Sequence, residues 1–213
     1  GSYGEGDGQL VWPTSIAVDS QENVYVSDEW LNRITVYSKD GAFIRKWGKT
    51  GSGSGELDKP AGLAIGSDQT MYLVDSRNHR VQKFTVDGKN LAKWGSLGSG
   101  DANFNSPWGI TIDSAGFVYV ADHKNHRAQK FTPEGEFVAS FGREGSGQGE
   151  LNRPTDVAVD PEGDVYVCDW ANDRVQSFAP DGEFITSLVG DAEQLSSWAQ
   201  ETVDANMDVM KAR

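Results

Sequence analysis

The chain has 213 residues, 37% of them hydrophobic, with seven Trp, nine Phe and six Tyr, enough apolar mass for a core. Its 19 Lys and Arg against 32 Asp and Glu leave a net charge of -13, which repels phosphate backbones and anionic membrane surfaces, so nucleic acid is not the expected partner. A single cysteine, Cys168, admits no internal disulfide, and no run of about 18 apolar residues is present to span a membrane. No basic-then-apolar leader opens the chain, and because it opens on Gly1 rather than Met, no compartment is read from it.

In chain order, Ser15 to Asp19 (SIAVD) and Val24 to Asp28 (VYVSD) are rich in β-branched and aromatic residues and are separated by the turn-forming SQEN, so both are predicted strands. Arg33 to Tyr37 (RITVY) follows a short loop, and Lys39-Asp40-Gly41 turns the chain into Phe43 to Trp47 (FIRKW), with Gly41 free to take a positive φ. Phe43, Arg45 and Trp47 alternate with Ile44 and Lys46, and charges on this last strand suit an outer edge that must not pair with another molecule.

This unit then recurs. Pro13, Pro60, Pro107 and Pro154 stand 47 residues apart, as do Tyr25, Tyr72, Tyr119 and Tyr166, and Gly41, Gly88, Gly135 and Gly182, with no gap in the register. The chain is therefore four copies, about 1–47, 48–94, 95–141 and 142–188, joined by the Gly and Ser linkers GKTGSGSGEL, GSLGSGDANF and GREGSGQGEL, which end in the apolar anchors Leu57, Phe104 and Leu151. Units of this length with four short strands predict an all-β fold, a β-propeller of four-stranded antiparallel blades; a linear β-solenoid, the alternative, has shorter coils. Cys168, whose counterparts are Ser27, Val74 and Ala121, is expected to be a small buried strand residue.

The segments DSRNHRVQKF (75 to 84), DHKNHRAQKF (122 to 131) and DWANDRVQSF (169 to 178), each preceded by a YV-type strand and a Pro-led strand, resemble NHL repeats over residues 1 to about 188. The resemblance implies a propeller, commonly six-bladed in that family, with roles from protein and RNA binding to a minority of enzymes. Four blades are visible, and Gly1 aligns with the boundary glycines Gly48, Gly95 and Gly142. A closed four-bladed ring and an arc of a larger ring are both open, and an arc would form a homo-oligomer to cover its two exposed blade faces. Beyond the repeats, residues 189–213 read as a helical tail, with Asp191 and Gln194 as a capping box and Leu195, Trp198, Val203, Met207 and Met210 along one apolar face.

The pairs Asp28 and Arg33, Asp75 and Arg80, Asp122 and Arg127, and Asp169 and Arg174 flank the loop between the second and third strands, where opposite charges close a structural clamp. In the NHL-type lyase that completes peptide α-amidation, one zinc-ligand His lies in a motif similar to DSRNHRVQKF, which would put His79 or His126 at that position. The stretches that correspond to its other ligands, WPTSIAVD, KPAGLAIG, SPWGITID and RPTDVAVD, contain no His, so no metal or other cofactor is expected. No nucleophile elbow, phosphate-cradling loop or zinc-peptidase helix appears either. An enzyme assembled from separate blades leaves no linear motif, so the alternative function is a metal-dependent lactonase-like or lyase-like propeller, with ligands at the channel drawn from Asp156, His79 and His126.

Comparison of the four copies isolates the positions that vary, which follow the clamp Asp or flank the repeated Pro. There the chain carries Trp12, Trp30, Arg77, Trp108, His123 and Trp170. Loops on a rigid sheet scaffold present such residues for binding, and Trp and Arg dominate protein interfaces. The expected function is a non-enzymatic scaffold that recognises a protein or peptide through this loop face.

Overall fold

The computed structural model of the chain describes residues 2–189. Of the helical tail expected over 189–213, Val189 ends the last strand of the fourth repeat and the remaining residues lie outside those described. Each repeat forms one antiparallel four-stranded meander, paired in chain order. Blade 1 consists of Pro13–Val18, Val24–Asp28, Arg33–Tyr37 and Phe43–Trp47, and blade 2 of Pro60–Ile65, Thr70–Asp75, Arg80–Thr85 and Asn90–Trp94. Blade 3 consists of Ile110–Ile112, Val118–Asp122, Arg127–Phe131 and Phe137–Phe141, and blade 4 of Pro154–Val159, Val165–Asp169, Arg174–Phe178 and Phe184–Val189. The first strands of neighbouring blades lie side by side along a shared cleft, so they are the inner strands of a propeller.

Three apolar cores hold consecutive blades together. Tyr25, Ile34 and Val36 of blade 1 pack on Leu63, Leu73 and Phe84 of blade 2. Tyr72, Val74 and Val81 of blade 2 meet Ile110, Val120 and Phe131 of blade 3. Tyr119, Ala128 and Phe141 of blade 3 meet Val157, Val167 and Phe178 of blade 4. Each such large side chain contributes roughly 1.5–3 kcal/mol by leaving water. Among the described residues no core joins blade 4 to blade 1, so the four blades form an arc with two uncovered faces.

Cys168 lies on the uncovered face of blade 4 and is exposed, contrary to expectation. Its counterparts Ser27, Val74 and Ala121 are fully buried because a following blade covers each of them.

The linkers are folded loops. In two of them, and in the equivalent loop before blade 1, a side chain near the end turns back to cap a glycine amide: Glu56 Oε2 accepts from Gly53 N at 2.8 Å, Glu150 Oε2 from Gly147 N at 2.9 Å and Gln9 Oε1 from Gly6 N at 2.8 Å, whereas in the 95–104 linker Asn103 Nδ2 donates to Ser96 Oγ at 2.8 Å. Leu57, Phe104 and Leu151 then enter the cores with no exposed surface. The clamp arginines hold these loops. Arg80 Nε donates to Asp75 at 2.7 Å while its terminal nitrogens donate to the carbonyls of Ser52, Gly53 and Glu56. Arg127 and Arg174 repeat the pattern, at 3.0 Å to Asp122 and 2.8 Å to Asp169. In blade 1 the Asp28–Arg33 ion pair does not form: Arg33 keeps the loop carbonyls of Glu5, Gly6 and Gln9, but its Nε is buried without a partner.

Candidate functional site

The inner strand of each blade begins where the second strand ends, as in the pairings of Pro13 with Asp28, Pro60 with Asp75 and Pro154 with Asp169. The loop entering each blade and the loop after its clamp Asp therefore share one end of the arc, and the rigid sheets fix their spacing. In blades 2 to 4 the second loop is a short 3-10 turn, Ser76–Asn78, His123–Asn125 and Trp170–Asn172. The residue that ends it is left-handed, with φ of 53° at His79, 56° at His126 and 52° at Asp173, a conformation that Asn, Asp and His tolerate better than most residues.

Those two histidines are inter-blade fasteners. His79 Nδ1 accepts from Ser106 N at 3.0 Å and His126 Nδ1 from Arg153 N at 3.3 Å, while Asn32 Oδ1 takes the same role with Lys59 N at 2.7 Å. Burial, with Lys124 nearby, pushes the His79 imidazole below its usual range, which agrees with a neutral ring accepting at Nδ1.

On this end, Trp12, Trp30 and Arg77 line one cleft of about 290 Å³ across blades 1 and 2. Trp108, His123 and Lys124 line a second, of about 230 Å³, across blades 2 and 3. Both clefts are bounded by Glu29 and Lys59, whose side chains pair at 2.6 Å and bridge blade 1 to blade 2. Trp12, Trp30, Trp108 and Trp170 are 59%, 64%, 42% and 58% exposed, a large apolar area for a surface of monomeric protein.

His123 differs from the other residues singled out in the sequence because it is buried. Its ring lies 5.2 Å from Trp108, edge to face, and 6.3 Å from Trp170, and its Nδ1 is 3.2 Å from the Pro154 carbonyl. It spaces two indoles and offers little surface of its own. Burial pushes its pKa down against the pull of the Pro154 carbonyl, with Arg153 and Lys124 adding to the depression, so the ring is neutral near pH 7. Glu29, Lys59 and Lys124 were visible in the sequence only as variable positions. Their part in the clefts depends on distances between blades.

The channel offers a second candidate. A cleft of about 310 Å³ runs along the inner strands of all four blades and contains one ionisable side chain, Asp156. Its carboxylate accepts from Val157 N at 2.9 Å and stands where a side chain at position 109 would collide with it, so Gly109 makes its room. Packing on its flanks pushes the carboxyl pKa up, although the residue remains open to the channel. Among the described residues no three His, Cys, Asp or Glu side chains converge on a point. Asp156, His79 and His126 are therefore not gathered into a ligand set, and these residues do not fit a metal centre.

Comparison with known proteins agrees with this architecture. Residues 16–143, more than half the chain, match the SMP-30/gluconolactonase/LRE-like region, and residues 151–178 match the NHL repeat. A stretch of 46 residues, 22% of this chain and 4% of the relative, is 46% identical to protein lin-41 of Caenorhabditis elegans. Among solved structures, virginiamycin B lyase from Staphylococcus aureus superposes with a TM-score of 0.66 at 17% identity, over 85% of this chain and 57% of its own. Hydrazine synthase from Kuenenia stuttgartiensis superposes with a TM-score of 0.65 at 16% identity, over 89% of this chain and 51% of its own. At such identities the superpositions establish the fold alone, and this chain spans little more than half of either structure.

Proposed function

The chain belongs to the SMP-30/gluconolactonase/LRE-like family of β-propellers and carries NHL repeats, and from that premise we propose that it is a non-enzymatic scaffold that binds an acidic peptide segment across its loop face. One observation carries the reading. Four half-exposed or more exposed indoles stand at one end of a rigid sheet arc, two of them held apart by a buried imidazole. Indoles fixed in this way present broad contact area at low entropic cost, as the anchors of protein interfaces do.

Charge supports an acidic ligand. Lys59 and Arg77 have Glu29 and Asp58 beside them, but Lys124 and Arg153 form no ion pair among the described residues. On a chain of net charge -13, two unpaired cations beside Trp108 and Trp170 form a local basic patch that attracts carboxylates. The alternative, a lactonase-like or lyase-like reaction, would draw on Asp156, the one ionisable side chain that lines this cleft.

The test begins with a random peptide library displayed on phage and selected on the folded, immobilised protein. Selected peptides should be rich in Asp and Glu next to apolar residues. Their affinity should fall by about thirtyfold, the equivalent of about 2 kcal/mol, in Trp108→Ala or Trp170→Ala, with circular dichroism unchanged. Selected peptides that bind all four loop-face Trp→Ala variants as tightly as the parent would overturn the proposal.

A further inference from the structure

We propose that the rim of blade 2 carries a binding site for a phosphorylated serine or threonine of a peptide segment. A cleft of about 440 Å³ opens there between the 3-10 turn Ser76–Asn78 and the linker that follows Trp94. Arg77, His79 and Lys93 line it together with Trp94 and Leu97, and no carboxylate does. Asn78 and Arg80 also border it, but their nitrogens are held by the clamp and the preceding linker.

Comparison of the blades shows why this rim is open and its counterparts are not. In blade 1, Lys46 pairs with Asp7 at 3.0 Å, and Asn32 Nδ2 donates to Thr50 Oγ1 at 3.1 Å. In blade 3, Glu144 stands 3.9 Å from His126 Nε2, and Ser140 replaces the lysine. Blade 2 has Ser54 at the position of Asp7, and Leu97 at the position of Thr50 and Glu144. Among the described residues Lys93 therefore forms no ion pair, and the one ion pair of Arg77, with Asp58, is 3.8 Å long. Because His79 Nδ1 accepts from Ser106 N, the neutral ring carries its proton on Nε2, and Leu97 offers that proton no acceptor.

Two cations without a close acidic partner match the double charge of a phosphate, and the imidazole N–H adds a further donor. Leu97, 64% exposed, and Trp94 add apolar surface for the residue beside the phosphate. Net charge decides what brings that phosphate. A nucleic acid or an anionic membrane meets the field of the whole chain, at -13, whereas a single phosphorylated side chain meets this cleft alone. The site is separate from the tryptophan clefts, although Arg77 borders one of them.

Peptide libraries with phosphoserine, serine or glutamate fixed between randomised flanks, passed over the immobilised chain, test this. The phosphoserine library should be retained about tenfold better than the other two, and inorganic phosphate at the peptides' concentration should displace none of it. Ser54→Asp and Leu97→Glu place in blade 2 the acidic residues of blades 1 and 3; both positions are exposed, so circular dichroism should be unchanged. Each should lower retention about tenfold, as should Lys93→Ala, while the neutral Ser54→Asn keeps it. Equal retention of the glutamate library, displacement by inorganic phosphate, or displacement by single-stranded RNA at equal concentration would each overturn the proposal. Phosphopeptide binding that survives Ser54→Asp, Leu97→Glu and Lys93→Ala but is lost in Trp108→Ala would overturn it too, by assigning the peptides to the loop face.

Discussion

Asp28 and Arg33 occupy the repeat positions of Asp75 and Arg80, yet they alone of the four pairs form no ion pair. Asp28 accepts instead from the amides of Val11, Trp12, Trp30 and Leu31. In the other blades the position of Leu31 is held by Asn78, Asn125 or Asn172, and that of Thr35 by Gln82, Gln129 or Gln176, and these amides join Asp and Arg in one network. The buried ion pair thus accompanies a complete set of hydrogen-bond partners, in keeping with the high cost of a buried charge left alone.

Arg80→Ala leaves Asp75 fully buried without its cation and releases three linker carbonyls, so it should cost about 3–5 kcal/mol. Arg33→Ala removes loop contacts but no ion pair and should cost about 1–2 kcal/mol. Urea denaturation of the two variants checks the difference; equal losses would mean that the linker grip, and not the pair, carries the clamp.

Gly41, Gly88 and Gly135 share a turn position and a positive φ of 80°, 87° and 91°. Alanine there incurs left-handed strain of about 1–2 kcal/mol at all three. A Cβ at Gly88 or Gly135 would also stand 2.7 or 2.6 Å from the indole of Trp47 or Trp94 in the preceding blade, whereas at Gly41 nothing lies within 4 Å. Gly88→Ala and Gly135→Ala should therefore lose a further 1–3 kcal/mol or so. Thermal melts should rank Gly41→Ala as the mildest of the three.

The repeat made the blades legible because alternation and a fixed period together locate strands: three of the four predicted in blade 1 have the observed bounds, and the first starts at Pro13, two residues before Ser15, by way of a bulge opposite Asp28. The loop-face tryptophans were legible because four internal copies separate shared positions from variable ones. A repeat position does not tell whether a neighbouring blade covers it, which is why the exposure of Cys168 was missed. Nor does it reveal contacts between blades, so the fastening by His79 and the burial of His123 between two indoles became visible only in three dimensions.

Acid should weaken the fold through histidine. His79 and His123 have folded-state pKa values below their ordinary 6.5, each lowered chiefly by burial. Above pH 6.5 both states are neutral and stability is unaffected by these rings. Below it the unfolded chain takes up protons first, so stability falls as pH drops through 6.5 towards the folded-state values, by at most about 1.4 kcal/mol per pH unit for each ring. Urea midpoints between pH 7.5 and 5 should decline, and His123→Gln should flatten the slope; an unchanged slope would assign the effect elsewhere.

The proposed loop face is tested most directly by indole N–H spectra of the protein labelled with ¹⁵N-tryptophan, recorded while a library-selected acidic peptide is added. Trp12, Trp30, Trp108 and Trp170 are exposed at one end of the arc, whereas Trp47 and Trp94 have their Nε1 atoms buried between blades. Binding across the loop face predicts that signals of the first group, led by Trp108 and Trp170, shift with the titration while those of Trp47 and Trp94 stay in place. A bound peptide that leaves the four exposed indoles unmoved would contradict the account.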